Sequence, residues 1–324
     1  MKRREFITLL GGGAAWPLSA RAQQPRMLRI GSVSSINPRS AFFWVAFDQR
    51  MRELGYVEGQ NLAVEFINLN GRIDRYGEET KELVRRNVDI IIAPGNELAL
   101  KSALAATDTL PIVITAVDYD PLALNYVTSL ARPGRNVTGV FFQQIELALK
   151  RLELTRETFP EMRAATVLWD RISADQWKAL QGAVATLGMQ LTGIEVRERP
   201  FDYEQALARV PPDHRGALLA SMSPVFYQDR ERVIDAAARH RMPSMFGFRE
   251  FVEAGGLVSY GPSLAGMYRR AADYVDRIAR GAKPADLPIE QPTKFELILN
   301  LKTARTIGVT LPTSILLRAD EVIE

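Results

Sequence analysis

The chain has 324 residues, of which 47% are hydrophobic and 24% are charged, and it contains no cysteine. This length exceeds one ordinary hydrophobic core and favours two lobes. The lack of cysteine excludes disulfides, thiol catalysis and a lipid-modified amino-terminal cysteine. Beyond residue 22 the chain carries 37 basic and 37 acidic residues. Such a balance provides no basic surface for nucleic acid, so we expect no nucleic-acid partner.

Residues 1–22 have the pattern of an export signal. A basic start and a short apolar stretch precede the A-x-A cleavage site Ala20-Arg21-Ala22. The run RREFI at residues 3–7 is similar to the twin-arginine signature, although Lys2 stands where that signature prefers Ser or Thr, so general secretion stays an alternative route. The apolar stretch is shorter than the ~20 residues of a membrane span. We therefore expect a periplasmic protein without a membrane anchor, cleaved near Ala22.

From residue 27 onward, predicted strands and helices alternate. Apolar runs bounded by Gly, Pro, Asn or Asp are typical of buried parallel strands, and amphipathic segments between them are typical of helices. The unit at residues 88–121 has the pattern of strand, helix and strand, so both strands end at the same edge of one sheet. In the first half of the chain we predict strands at residues 28–33, 61–69, 88–93 and 111–117, and helices at residues 40–55, 74–87 and 96–107.

The alternation restarts after the Pro133-Gly134 turn, which we interpret as the first crossover between lobes. The sequence therefore predicts the α/β class, with two doubly wound Rossmann-like lobes. The predicted first lobe comprises residues 27–135 and 257–288, and the second comprises residues 136–256 and 289–324. The strands predicted after this turn are at residues 137–142, 164–169, 189–196, 217–220, 243–246, 257–260 and 294–300, and the helices at residues 145–158, 173–187, 203–209, 225–240 and 263–280.

Three stretches of the sequence carry a family resemblance. The segment ARPGRNVTGV at residues 131–140 is close to an RPGGNVTG crossover, Asp120-Pro121 is close to a DP turn, and residues 253–324 are close to a family tail. On these motifs the chain resembles the ABC-transporter substrate-binding protein family of type I periplasmic-binding fold, whose members include aromatic-amino-acid binders. The resemblance covers essentially the whole mature chain. It implies two lobes joined by three hinge segments, which close over a small-molecule solute and deliver it to an inner-membrane ABC permease.

The sequence departs from the family pattern at three places. Arg135 stands where Gly is usual, Asn96-Glu97 replaces Thr-Pro, and Trp169-Asp170 replaces Asn-Pro. The last two changes fall in loops where the family contacts its ligands. The solute therefore cannot be carried over from relatives.

The predicted ligand site consists of loops that follow strands, because ligands of open α/β sheets bind outside the carboxyl ends of the strands. For an amino-acid-like solute, Asp118 would pair with the ammonium group, and Trp169, Phe246 or Tyr119 would stack on an aromatic or apolar side chain. Ser34 and Ser35 can instead cap a helix, and Trp169 can instead belong to the core. The predicted ligand-binding residues are Ser34, Ser35, Gly95, Asn96, Asp118, Tyr119, Trp169, Asp170, Ser221, Met222, Phe246, Phe248 and Tyr260.

The sequence contains no motif of a known catalytic class. No G-x-S-x-G elbow, Walker A loop, H-E-x-x-H or EF-hand spacing occurs, and no pattern predicts a metal site or a cofactor. We expect a monomeric solute-binding protein and not an enzyme. Two alternatives stay open at this point: a periplasmic sensory module for a receptor kinase and, with less support, a secreted α/β enzyme.

Overall fold

The computed structural model describes residues 27–117, 119–198 and 200–324, which form two β-sheets flanked by helices. The predicted export signal lies outside the described residues. The first sheet contains β1 (Leu28–Ser34), β2 (Leu62–Asn68), β3 (Ile90–Gly95), β4 (Ile112–Ala116) and β5 (Val137–Phe141). The second contains β6 (Ala164–Trp169), β7 (Gln190–Glu195), β8 (Ala217–Ala220), β9 (Ser244–Phe246), β10 (Val258–Pro262), β11 (Phe295–Asn300) and β12 (Glu321–Ile323).

Helices connect most of the strands. No helix within the three described ranges is both long enough and apolar enough to cross a membrane. The helices are α1 (Phe42–Glu53), α2 (Tyr76–Arg85), α3 (Glu97–Ala106), α4 (Gln144–Thr158), α5 (Ala174–Leu187), α6 (Tyr203–Ala208), α7 (Pro212–Arg215), α8 (Pro224–Gln228), α9 (Arg230–Arg239), α10 (Arg249–Glu253), α11 (Leu264–Ala279), α12 (Leu301–Ile307) and α13 (Thr313–Leu316).

The strand order confirms the predicted α/β class with two doubly wound lobes. The first sheet has the order β2-β1-β3-β4-β5 and its strands pair in parallel. The second has the order β12-β11-β10-β9-β8-β6-β7, in which β10 and β11 pair antiparallel and the other pairs are parallel. Each sheet, together with the helices packed on it, is called the first or the second lobe.

Strand β3 continues through Pro94-Gly95, where the sequence predicted a strand end. Pro94 pairs with Thr115 and Gly95 with Ala116 on β4, whereas the pairing of β3 with β1 ends at Ile92. The missing N–H of proline therefore costs no hydrogen bond to β1. Strand β3 can run on and bring Gly95 to the edge of the sheet.

The chain crosses between the lobes three times, as a fold of this kind requires. The first crossing follows β5, the second joins β10 to α11, and the third precedes β11. Helix α11 belongs to the first lobe because it packs on α1, β4 and β5. The third crossing starts after Glu290, whose N–H donates to the carbonyl oxygen of Gly139 (2.9 Å).

Two strands lie in the sheet opposite to the one that the predicted lobe boundaries give them. The predicted boundaries place β5 in the second lobe, but it pairs with β4 of the first. They place the segment at residues 257–260 in the first lobe, but β10 pairs with β9 and β11 of the second. The residue pattern of a strand predicts whether the strand is buried, but it does not predict which strand it pairs with. The first and second crossings therefore lie a few residues away from their predicted positions.

The hydrophobic core of the described residues consists of three clusters. One fills the outer side of the first lobe and includes Leu83, Ile91 and Leu100. A second lies in the second lobe between its sheet and α4, α5 and α12. The third is continuous from the first lobe into the second, since it joins α1 and α11 to residues that follow β8 and β9.

Gly139 on β5 is a site where the backbone requires glycine. Its φ is +134°, and a Cβ atom placed there would lie 2.2 Å from the carbonyl oxygen of Ile114. We expect Gly139→Ala to lower the free energy of unfolding by about 2–4 kcal/mol, because β5 must move away from β4. Gly182 in α5 is the matched control, since a Cβ there meets nothing within 4 Å. Gly182→Ala should raise stability by about 0.5–1 kcal/mol in the same urea titration, and equal effects of both substitutions would contradict the argument.

Candidate ligand-binding cleft

A small cavity lies between the carboxyl edges of the two sheets, and we call it the interlobe cavity. Its volume is about 50 Å³, far below the roughly 300–1,000 Å³ of pockets for drug-sized ligands. The lobes are therefore close together in this structure. The walls come from both lobes: Asn37, Phe43, Gly95, Asn96, Val117, Leu264 and Tyr268 from the first, and Met222, Ser223, Pro224, Tyr227 and Phe248 from the second.

Aromatic rings form much of the wall and also the contact between the lobes. The rings of Phe43 and Tyr268, both of the first lobe, lie 4.6 Å apart between centroids. Across the cleft, Tyr227 lies 5.9 Å from Phe43 and 6.1 Å from Phe42. Tyr227 also packs against Phe248, at 6.3 Å. The closed arrangement of the two lobes thus depends on apolar and aromatic contacts. A solute with apolar or aromatic groups can form contacts of the same kind in their place.

The second-lobe wall is fixed by side-chain amides that hold the backbone of Met222. The amide group of Gln176 accepts a hydrogen bond from the Met222 N–H (2.9 Å) and donates one to the Met222 carbonyl oxygen (2.9 Å). Gln144 donates to the same carbonyl oxygen at 3.3 Å. Both glutamines are buried, on α5 and α4 respectively. The loop after β8 is therefore held in one conformation from two helices.

Asp170 supports this wall from within the second lobe. One carboxylate oxygen accepts hydrogen bonds from the N–H (2.9 Å) and the hydroxyl (2.8 Å) of Ser173, and the other accepts one from the Ser223 hydroxyl. Ser223 in turn caps α8 by accepting from the Val225 N–H. Each carboxylate oxygen of Asp170 thus already has a donor in the protein, which makes Asp170 a support for the loop that contains Ser223.

Of the predicted ligand-binding residues that the structure describes, four line the interlobe cavity: Gly95, Asn96, Met222 and Phe248. Asn96 also caps α3, because its side-chain oxygen accepts from the Ala99 N–H (3.0 Å) and its nitrogen donates to Tyr76 (3.2 Å). Its amide is engaged within the first lobe, so it contributes shape to the wall.

Other predicted residues of the first lobe lie beside or behind the cavity. The hydroxyl of Ser34 donates to the carbonyl oxygen of Asn37 (2.8 Å) and closes its own loop. Ser35 is buried next to it. Tyr119 belongs to the core of the first lobe and packs edge-on against Tyr126. Asp118 lies outside the described residues.

The aromatic residues predicted in the second lobe pack among themselves. Trp169 stacks on Trp177 of α5, with the ring planes 11° apart. Phe246 is fully buried and stacks on Phe251 at 4.5 Å. Ser221 is buried beside Met222 but does not line the cavity. The ring of Tyr260 packs on Phe295, near the crossing into β11. A role of Trp169, Phe246, Ser221 and Tyr260 in binding stays a prediction.

The wall residues that the sequence did not predict lie mainly on helices. Phe43 is on α1, Tyr227 on α8 and Tyr268 on α11. Each occupies an apolar position of its helix, so the sequence identifies it as core. Which core residues face the other lobe depends on how the two lobes meet. The apolar pattern of a single helix does not contain that information.

Two buried charged groups in the second lobe have incomplete partners. Arg151 of α4 is 3% exposed; one guanidinium nitrogen donates to the Tyr260 carbonyl oxygen at 3.4 Å, and Nη2 has no partner among the described residues. Burial lowers the pKa of Arg151 to about 9. Glu250 of α10 is 9% exposed, and its Oε2 has no partner in the described part of the chain. Burial, more than any neighbouring charge, raises the pKa of Glu250 to about 7.

No group of three or more His, Cys, Asp or Glu residues within the described ranges could hold a metal ion. The hydrogen-bond acceptors that line the cavity are isolated from one another and belong to different helices and loops. What the arrangement provides is a narrow, mostly apolar space with a rigid wall on one side and a second wall carried by the other lobe.

The buried carboxyl of Glu250, whose Oε2 atom has no partner among the described residues, makes stability depend on pH. Because the pKa rises from 4.5 to about 7 on folding, the folded state binds more protons between these values, and stability falls as the pH rises through that window. We expect Glu250→Gln to raise the free energy of unfolding by about 1–3 kcal/mol at pH 8 and to change it little at pH 4.

Urea titrations at the two pH values measure this difference. Glu253→Gln is the matched control, since Glu253 lies on the same helix, is exposed and pairs with Arg249 at 2.9 Å. It should not stabilise the protein at pH 8. A loss of stability in Glu250→Gln at pH 8, or equal effects at both pH values, would show that Glu250 has a partner.

Comparisons with known proteins agree with this architecture. A tyrosine-binding protein of Clostridioides difficile strain R20291 is 22% identical over 279 residues, which cover 81% of this chain and 75% of that protein. The structure of an ABC domain in complex with L-Trp from Streptococcus pneumoniae has a TM-score of 0.77 and 22% identity, and covers 92% of this chain and 100% of its own. A conserved domain protein of Vibrio cholerae O1 biovar eltor has a TM-score of 0.80 and 23% identity over the same shares of the two chains.

The structural neighbours are binding proteins of the type I periplasmic fold, which confirms the predicted fold. Residues 46–323 match the family described as ABC transporter substrate binding protein. That match covers every strand except β1 and all three crossings, and it confirms the resemblance drawn from the crossover and the tail. The chain belongs to the family of ABC transporter substrate binding proteins.

Proposed function

We propose that this protein is a periplasmic solute-binding protein that captures a small organic solute of the amino-acid class between its lobes and delivers it to an ABC uptake transporter. The observation that carries the proposal is the interlobe cavity, whose walls come from both lobes. Relatives named for binding tyrosine and L-Trp support the amino-acid class. The export pattern of residues 1–22 supports the periplasmic location.

Closure over a solute follows from the geometry of the cleft. A solute that contacts both walls stabilises the closed arrangement through contacts that the open one lacks. The wall at Met222 is fixed by two glutamines, whereas the wall at Phe43 moves with the first lobe. Because one wall is already rigid, binding loses less conformational entropy. The position of the other wall changes when a solute binds.

The small volume determines how the solute must enter. About 50 Å³ accommodates a few atoms of a ligand and not a whole amino acid. The lobes must therefore part, and the contact between Phe43 and Tyr227 must open. The solute then lies between these two rings.

A thermal-shift screen tests the proposed function directly. The protein is melted with each of the common amino acids, with sugars and with small organic acids, and mass spectrometry identifies any solute that co-purifies. A ligand at a hundred times its Kd stabilises by about 2.7 kcal/mol, which shifts Tm by several degrees. If no member of a broad set stabilises the protein and nothing co-purifies, the proposal is wrong. Fractionation of cells that express the full chain checks export separately.

Substitutions can distinguish the cavity from the site predicted at Trp169. Because Tyr227 lines the cavity and Trp169 stacks on Trp177, we expect Tyr227→Ala to weaken the affinity for the solute by about 1–3 kcal/mol. Trp169→Ala should change it by less than about 0.5 kcal/mol. Isothermal titration calorimetry on the folded variants measures both values, with Tyr56→Ala as a control beside Leu28 and Ile90 at the amino ends of β1 and β3. The reverse order of effects would move the site to the end of β6.

A further inference from the structure

The side chains that line the interlobe cavity favour a positively charged group over a negatively charged one. The rings of Phe43, Tyr227, Phe248 and Tyr268 present aromatic surface to it. Burial raises the pKa of both tyrosines above the ordinary value, so both rings are uncharged at neutral pH. Among the described lining residues there is no Lys, Arg or His. Aromatic faces attract cations because the face of the ring carries negative charge.

The first-lobe wall adds a hydrogen-bond acceptor. Asn37 lines the cavity, and its side-chain oxygen is buried without a hydrogen-bond donor among the described residues. A buried acceptor without a donor is unfavourable. A group that donates hydrogen bonds inside the cavity would satisfy it.

Glu250 places a carboxyl group behind the second-lobe wall. Its neighbours Phe248 and Phe251 both pack on Tyr227, at 6.3 and 6.4 Å, and the charge of Glu250 contributes to raising the pKa of Tyr227. The Oε2 atom of Glu250 has no partner in the described part of the chain. A buried carboxylate without a cation is costly unless a cation arrives or the group takes up a proton.

The arginines near Glu250 are engaged elsewhere. Arg249 pairs with Glu253 (2.9 Å) and Glu321 (2.7 Å). Arg230 donates to the Tyr227 carbonyl oxygen (3.2 Å), and its guanidinium lies 5.2 Å from the centre of the Tyr227 ring. Neither of these two arginines therefore forms an ion pair with Glu250.

We propose that the interlobe cavity binds the cationic nitrogen of the solute, with the rings of Phe43, Tyr227 and Tyr268 around it, the Asn37 oxygen as hydrogen-bond acceptor and Glu250 as the charge partner behind Tyr227. The substrate class is then an amine or a zwitterionic amino compound, and sugars and nitrogen-free acids are excluded. A cavity of about 50 Å³ fits an ammonium group. This inference rests on the proposed solute-binding function, and it places the nitrogen-bearing end of the solute in the cavity.

Ligands that share one ring and differ in charge test the proposal. The protein is titrated by calorimetry with L-tyrosine, tyramine, 3-(4-hydroxyphenyl)propanoate and 4-ethylphenol, and with leucine, isopentylamine and 4-methylpentanoate as an aliphatic set. We expect the amine of at least one set to bind at least 30-fold more tightly than the acid without nitrogen. Equal or tighter binding of that acid, or binding of a sugar alone, overturns this inference and leaves the proposed function standing. Binding of none of these compounds also overturns this inference, whereas the broader thermal-shift screen decides the proposed function.

Variants separate a charge partner from a structural residue. Glu250→Gln should weaken the affinity for the amine about tenfold or more, while the control Glu253→Gln leaves it unchanged. Asn37→Leu should weaken it severalfold. Because Glu250→Gln is expected to stabilise the fold at neutral pH, a lower affinity cannot be explained by unfolding. Unchanged affinity in Glu250→Gln overturns the role of Glu250.

The pH profile gives a second readout of the same group. The charged and titratable groups that act on Glu250 are Glu253, Arg249, Arg230 and Tyr227. Burial raises the pKa of Glu250 to about 7, so protonation competes with the cation below that pH. The affinity for tyramine should fall severalfold from pH 8 to pH 6 in the native protein and stay flat in Glu250→Gln. The same profile in both proteins contradicts the proposal.

Discussion

The contact of Phe42 and Phe43 with Tyr227 is the interaction on which the arrangement of the lobes depends. These rings come from α1 in one lobe and α8 in the other, and they belong to the hydrophobic cluster that runs through both. Edge-on and tilted aromatic pairs add about 0.5–1.5 kcal/mol each beyond the burial of their area. Such contacts are weak enough to open on the timescale of binding and apolar enough to close again without leaving unpaired polar groups.

The two walls of the cleft differ in how they are held, and this difference matters for binding. Gln144, Gln176 and Asp170 fix the segment from Met222 to Ser223 by hydrogen bonds within the second lobe. The facing rings of the first lobe are fixed by packing between α1 and α11. A solute therefore meets one preorganised wall first, and closure of the other lobe adds the remaining contacts.

The sequence predicted the fold well because alternation of apolar runs and amphipathic segments is a local property. It predicted the cavity residues Gly95, Asn96, Met222 and Phe248 because parallel strands deliver their carboxyl ends to one edge. It did not predict the rings on α1, α8 and α11 that face the cavity, since the choice between core and cleft depends on the contact between lobes. The displaced crossings at β5 and β10 have a similar cause, because strand pairing is a tertiary property.

The buried side chains of Arg151 and Glu250 lower the stability of the second lobe. Each is buried with at least one polar atom that has no partner among the described residues, and replacing such a group by a neutral one of similar size is commonly stabilising. A chain optimised for stability alone would not place them there. Local conflicts of this kind concentrate at functional sites. Glu250 stands directly behind a ring of the cleft, and Arg151 contacts the strand that leads into the second crossing. A change in the ligand or in the lobe arrangement near either residue would therefore alter the electrostatic free energy.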